Sequence, residues 1–140
     1  MKVSIVSGGF DPLHVGHIEL FQKAKDLSDE LWVVLNTDEF LTNKKGAPFM
    51  PFEERRVILK SLRMVDLVIP CIDKDQTVCK TLKQLEKTIR MTNTKLLFCN
   101  GGDRTSGKNT PEHKICEKIG IETVYGLGNK IQSSSWLTEK

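Results

Sequence analysis

Two histidines, His14 and His17, stand three residues apart where an apolar run, residues 3–6, has ended in Gly8 and Gly9 and a helical pattern begins near Val15. Side chains three apart share one face of a helix, so both imidazoles can point the same way from its first turn. A strand, a glycine turn and a helix start aim backbone N–H groups and the helix dipole at phosphate. The chemistry this spacing permits is phosphate handling with two side-chain donors added. Taken alone, a His-x-x-His pair is two exposed polar side chains, and two glycines alone make only a tight turn. The coincidence of glycines, helix start and histidines selects the phosphate site.

The elements that must position this turn are read from periodicity. Short apolar runs at residues 2–6, 31–36, 66–70, 95–99 and 121–125 predict five strands, and helical patterns between them predict crossovers. The helices are expected over residues 15–27, with Val15, Ile18, Phe21 and Ala24 on one face, from Phe52 onward, over 76–89, and from a Thr110 cap with Pro111 behind it to a stop at Gly120. A short C-terminal helix capped by Ser133 completes the set, and residues 37–51 read as a polar loop. In the helix opening at Phe52, Val57, Ile58 and Leu62 are expected inside and Arg55, Arg56, Lys60 and Arg63 outside. Strands alternating with helices predict an α/β chain, a Rossmann-like, doubly wound five-stranded parallel sheet in a single domain spanning residues 1–140, with ligands at the carboxyl ends of the strands. Four stretches then meet at that edge: the histidine turn, the loop with Lys44 and Lys45, the loop with Gly101, Gly102 and Asp103, and residues 132–135.

Composition narrows the function classes. A chain of 140 residues with 39% hydrophobic content suits one globular domain. A net charge of +3 suits small polyanions and falls short of a dedicated nucleic-acid binder, so no nucleic-acid partner is expected. Cys71, Cys79, Cys99 and Cys116 show no C-x-x-C spacing and read as reduced, mostly buried thiols rather than zinc ligands. The N-terminal apolar run is too short for a signal peptide and nothing approaches a membrane span, so a soluble, cytoplasmic protein without membrane partner is expected.

The turn Gly8-Gly9-Phe10-Asp11 followed by His14-Val15-Gly16-His17 resembles the G-x-F-D and H-x-G-H signature of the nucleotidylyltransferase superfamily. It is similar in particular to the glycerol-3-phosphate cytidylyltransferases and the heptose-1-phosphate adenylyltransferases. The likeness continues through Thr37-Asp38-Glu39-Phe40, Lys44, Arg55, Arg63, Val65-Asp66 and Gly101-Gly102-Asp103, nearly the whole chain. It implies transfer of CMP or AMP from CTP or ATP to a polyol- or sugar-phosphate with release of pyrophosphate, Mg²⁺ carried mainly on the triphosphate rather than by protein side chains, and a homodimer. By position it makes His14, His17 and Lys44 catalytic. It assigns the nucleotide to Gly8, Gly9, Phe10, His14, His17, Lys44, Gly102, Asp103, Ser133, Ser134 and Ser135, and the acceptor to Asp11, Asp38, Arg55 and Arg63. Arg55 and Arg63, eight residues apart, would lean toward one site if one helix carried both. In the cytidylyltransferases the last motif reads R-T-x-G-I-S-T-T, whereas Gly128 and Asn129 stand here in place of the arginine and threonine, with Lys130 nearby.

Two other readings compete. Gly102, Gly107 and Lys108 run G-x-x-x-x-G-K, near a Walker A loop, but Asn109 replaces the magnesium-binding Ser/Thr and Pro111 starts the helix late. That argues against a P-loop kinase or NTPase. The missing arginine supports a module that binds nucleotide as a sensor without turning it over.

Overall fold

The computed structural model describes residues 1–101 and 110–127. Ten elements follow one another: β1 (Lys2–Gly8), α1 (Val15–Asp26), β2 (Glu30–Leu35), α2 (Asp38–Lys45), α3 (Phe52–Lys60), β3 (Leu67–Pro70), α4 (Cys79–Ile89), β4 (Lys95–Gly101), α5 (Pro111–Ile119) and β5 (Glu122–Leu127). The strands form one sheet in the order β3-β2-β1-β4-β5, with every neighbouring pair parallel. The predicted doubly wound α/β sheet is therefore the observed one. Its order reverses between β1 and β4, and in such sheets the crevice at that point takes the ligand.

Each face of the sheet buries its own core. Val3, Ile5, Val34, Leu96 and Phe98 pack with Phe40 and Leu41 of α2, Leu82 of α4 and Cys116 of α5. On the opposite face Val6, Leu31, Val33, Leu35 and Leu97 pack with Phe21 and Ala24 of α1 and Leu59 of α3. Strands covered on both sides read as near-continuous apolar runs, as β1, interrupted by Ser4, and β2 do. Among the described residues no helix is long and apolar enough to cross a membrane.

Five expectations are corrected. Residues 37–51 are not one loop, because α2 lies within them: Thr37 caps it by accepting from the Phe40 N–H at 3.1 Å, Asp38 and Glu39 fill the first turn, and Gly46 (φ 95°) ends it. The buried face of α3 is carried by Arg55 and Leu59, while Val57 and Ile58 are 56% and 38% exposed. α3 also ends at Lys60, so Arg63 lies beyond the helix and the two arginines do not share one helical face. In α1, Phe21 and Ala24 are buried as expected, but Val15 at the tip is half exposed. α4 begins at Cys79 rather than at residue 76, since Asp73 accepts from the Lys80 and Thr81 N–H groups and fixes the start there. The Thr110 cap, Pro111 and the left-handed Gly120 stand as read. Gly102, Asp103, Gly107 and Lys108 of the glycine-rich loop, and Lys130 with Ser133, Ser134 and Ser135, the serines expected to cap a C-terminal helix, lie outside the described residues.

Candidate active site at the carboxyl edge of the sheet

The turn after β1 is built by close approach. A Cβ on Gly8 would come within 3.0 Å of the Phe10 ring, and one on Gly9 within 2.8 Å of a Leu41 methyl of α2. Both glycines thus let side chains close over the backbone. Phe10 sits at φ 49°, a left-handed conformation uncommon for a side-chain-bearing residue, of the kind that concentrates at functional turns. Its buried ring meets the His17 ring edge-on at 4.8 Å and that of Phe21 at 5.2 Å.

Backbone hydrogen bonds fix how the histidines present their protons. His14 caps α1, and its Nδ1 accepts from the Gly16 N–H at 3.1 Å. His17 Nδ1 accepts from the His14 N–H at 3.2 Å, and the rings stack at 3.7 Å between centroids. A ring nitrogen that accepts carries no proton, so each neutral imidazole holds its N–H at Nε2. Burial lowers both pKa values, that of His17 to about 3, with the neighbouring His14 adding to the effect. Both rings are therefore neutral near pH 7, and together they offer two Nε2–H donors beside the positive end of a helix dipole.

Behind this pair lies a brace. The Asp11 carboxylate, 1% exposed, accepts from the Phe49 and Met50 N–H groups at 2.5 and 2.6 Å and from Lys45 Nζ at 2.8 Å. Burial pushes that carboxyl up, but Lys45 and the two amides outweigh it and hold the group below its ordinary value. Arg55, whose side chain is fully buried, donates to Met50 O (3.0 Å), Gly9 O (2.9 Å), Asn36 O (2.7 Å) and Asp38 Oδ1 (2.7 Å). One guanidinium thus joins the glycine turn, the end of β2, the start of α2 and the segment entering α3.

The structure brings together Gly8, Gly9, Phe10, Asp11, His14, His17, Asp38 and Arg55. It places Lys44 exposed in the last turn of α2 and Arg63 exposed past α3. Lys45 and Asn36 join the site without having been singled out as ligands. The acidic start and basic end of residues 38–45 were the readable signal for Lys45, because they mark a helix that ends beside the turn. Gly102, Asp103, Ser133, Ser134 and Ser135 fall outside the described residues.

Other chemistries find little support. Among the described residues no group of three or more His, Cys, Asp or Glu side chains is placed to hold a metal ion. Both Nδ1 atoms accept backbone N–H groups, and both Asp11 carboxylate oxygens are engaged by Phe49, Met50 and Lys45. A Mg²⁺ arriving with a triphosphate would stay on phosphate oxygens and water, as that reluctantly dehydrated ion commonly does. Burial raises all four thiols, Cys99 to about 11 and Cys116 to about 12, so none is a ready nucleophile.

Residues 5–122 match the family described as Cytidylyltransferase-like. A glycerol-3-phosphate cytidylyltransferase of Staphylococcus aureus is 47% identical over 70 residues, a match covering 50% of this chain and 53% of that protein, so the chain spans about half of that relative. A protein of the same name from Bacillus spizizenii is 43% identical over 127 residues, covering 91% of each chain. Among solved structures, a lipopolysaccharide core biosynthesis protein from Thermoplasma volcanium superposes with a TM-score of 0.68 at 27% identity, covering 91% of this chain and 98% of that one.

Proposed function

Because this chain belongs to the Cytidylyltransferase-like family, we propose that it is a nucleotidylyltransferase, with residues 1–140 as one catalytic domain. It moves CMP or AMP from CTP or ATP to a polyol- or sugar-phosphate and releases pyrophosphate. The observation that carries the reading is the stacked pair of neutral histidines, each with its proton held on Nε2 by a backbone N–H at Nδ1.

The reaction needs no protein nucleophile. A phosphomonoester has a second pKa of about 6, so near neutral pH it is already mostly a dianion able to attack the α-phosphorus. The bond from its oxygen to phosphorus forms as the bond to the β-phosphate oxygen breaks, and pyrophosphate leaves with the electron pair. His14 and His17 donate from Nε2 to phosphate oxygens around the breaking bond, where negative charge grows in the transition state. Neutral donors need not give up a proton to do this. Lys44 reaches the outer phosphates from the end of α2. Asp38, its side chain 45% exposed, and the exposed Arg63 are the groups available to the acceptor. Asp11 and Arg55 act through the segments they brace, holding the turn and α2 at fixed separation.

Pyrophosphate release measured with CTP and with ATP across a panel of polyol and sugar phosphates tests the proposal. The likeness over 91% of each chain to a protein named for glycerol 3-phosphate and cytidylyl transfer makes CTP with glycerol 3-phosphate the first pair to try. Release that requires both an NTP and a phosphorylated acceptor supports the transferase. Nucleotide binding without release with any pair identifies the sensor module instead.

A further inference from the structure

Asn36 lies one residue past β2, between the glycine turn and Asp38. Its N–H donates to Gly8 O at 2.9 Å and its carbonyl accepts from Arg55 at 2.7 Å, so the backbone is pinned on both sides. The side chain is another matter. Asn36 is 5% exposed, and its Oδ1 is buried without a hydrogen-bond partner among the described residues. The other buried polar side chains of the described residues are satisfied: Ser4 by Ala24 O, Asp11 and Arg55 within the brace, Asp73 and Thr81 by one another. An unpaired buried amide oxygen is costly and rare, and calls for an explanation at a functional edge. Strand alternation places Asn36 on the face of Trp32 and Val34, where packing alone would favour an apolar residue.

We infer that Asn36 is a specificity-determining residue whose Oδ1 receives a hydroxyl group of the phosphorylated acceptor. The inference rests on the transferase reading above. Oδ1 only accepts, so its partner must be a donor; a dianionic phosphate has none and belongs with the Nε2–H groups of the histidines. Two residues on, Asp38 has one oxygen held by Arg55 and a side chain still open to solvent. Acceptors at positions 36 and 38, at the same carboxyl edge of the sheet as the two phosphate donors, match a molecule with hydroxyls near a phosphate. The χ2 torsion of asparagine is broad and roughly two-fold, so the amide can turn its oxygen toward the ligand without backbone movement. A triphosphate's ribose carries the same chemistry, and the experiment separates the two sources.

The test compares the parent with Asn36→Leu, which keeps the volume and removes the acceptor. Both are assayed on the best acceptor from the pyrophosphate panel and on its analogues lacking one hydroxyl, all of which keep the attacking phosphate. The expected result is a fall of about tenfold in kcat/KM for the full acceptor, the size of one lost hydrogen bond. KM for the NTP stays within about twofold, and the variant no longer distinguishes the full acceptor from one deoxy analogue. Its melting temperature equals or exceeds that of the parent, because no unpaired oxygen remains. Equal losses on full and deoxy acceptors, or a rise in NTP KM alone, overturns the inference. If Asn36→Leu does not fold, Asn36→Ala carries the same comparison, since it too removes the acceptor. The rise in melting temperature on adding acceptor reads the contact without turnover: a smaller rise for the variant supports it, and equal or absent rises refute it. A parent that releases no pyrophosphate with any pair defeats the transferase reading separately.

Discussion

Lowering the pH should weaken this fold through His17 in a window that can be worked out beforehand. Burial and the adjacent His14 bring the His17 pKa from 6.5 to about 3. A group with lower proton affinity in the folded chain is protonated first in the unfolded one, so its contribution to stability is complete above 6.5 and is lost progressively as the pH falls toward 3. Each unit of pH within that window removes about 1.4 kcal/mol, so between pH 7.5 and pH 5 His17 alone should remove about 2 kcal/mol. Against a total stability of roughly 5–15 kcal/mol that is readily measured. Urea unfolding at several pH values, on the parent and on Asn at position 17 (His17→Asn), isolates it, because the Asn Oδ1 can still accept the His14 N–H. The parent should lose about 2 kcal/mol more than the variant over that range. Asp11, also below its ordinary value, contributes at more acid pH, as the pH falls below about 3.9, and does not confuse the comparison. Identical pH profiles for parent and variant refute the neutral, Nε2-protonated assignment of His17.

Two further substitutions probe the surrounding charges. Arg55→Ala should destabilise the chain by about 3–5 kcal/mol, since it leaves Gly9 O, Asn36 O and Met50 O without their donor; a melting temperature within a degree or two of the parent's contradicts the brace. Lys44→Ala should leave the melting temperature unchanged and chiefly raise KM for the NTP, because a lysine on charge present in ground and transition states alike contributes uniform binding; an unaltered KM removes Lys44 from the nucleotide site.

Much of this was legible in the sequence, and the exceptions have physical reasons. The strands that position the site are covered on both faces, so their apolar runs announce a parallel sheet, and the histidine turn sits where that sheet places ligands. Arg55 was misread because charge suggests solvent, yet Phe52, Arg55 and Leu59 follow the helical period and form the inner face, with the guanidinium satisfied by three carbonyls and a carboxylate. Helix α2 is only 8 residues long and polar along much of its surface, so its Thr37 cap and the charges at its two ends were the readable signal. Asp11 looked like a ligand group by type, but its role depends on Phe49, Met50 and Lys45, more than thirty residues away. Asn36 carries no motif, and only its unpaired oxygen singles it out.

The central claim is that His14 and His17 stabilise charge that develops only during transfer. Measuring kcat for pyrophosphate release, NTP affinity and melting temperature on His14→Ala and His17→Ala tests it most directly. Each variant should lose about 10²–10³ in kcat, the effect of removing one preorganised donor, while remaining folded and binding NTP within several-fold of the parent. A folded, NTP-binding His17→Ala protein with parental kcat would contradict it.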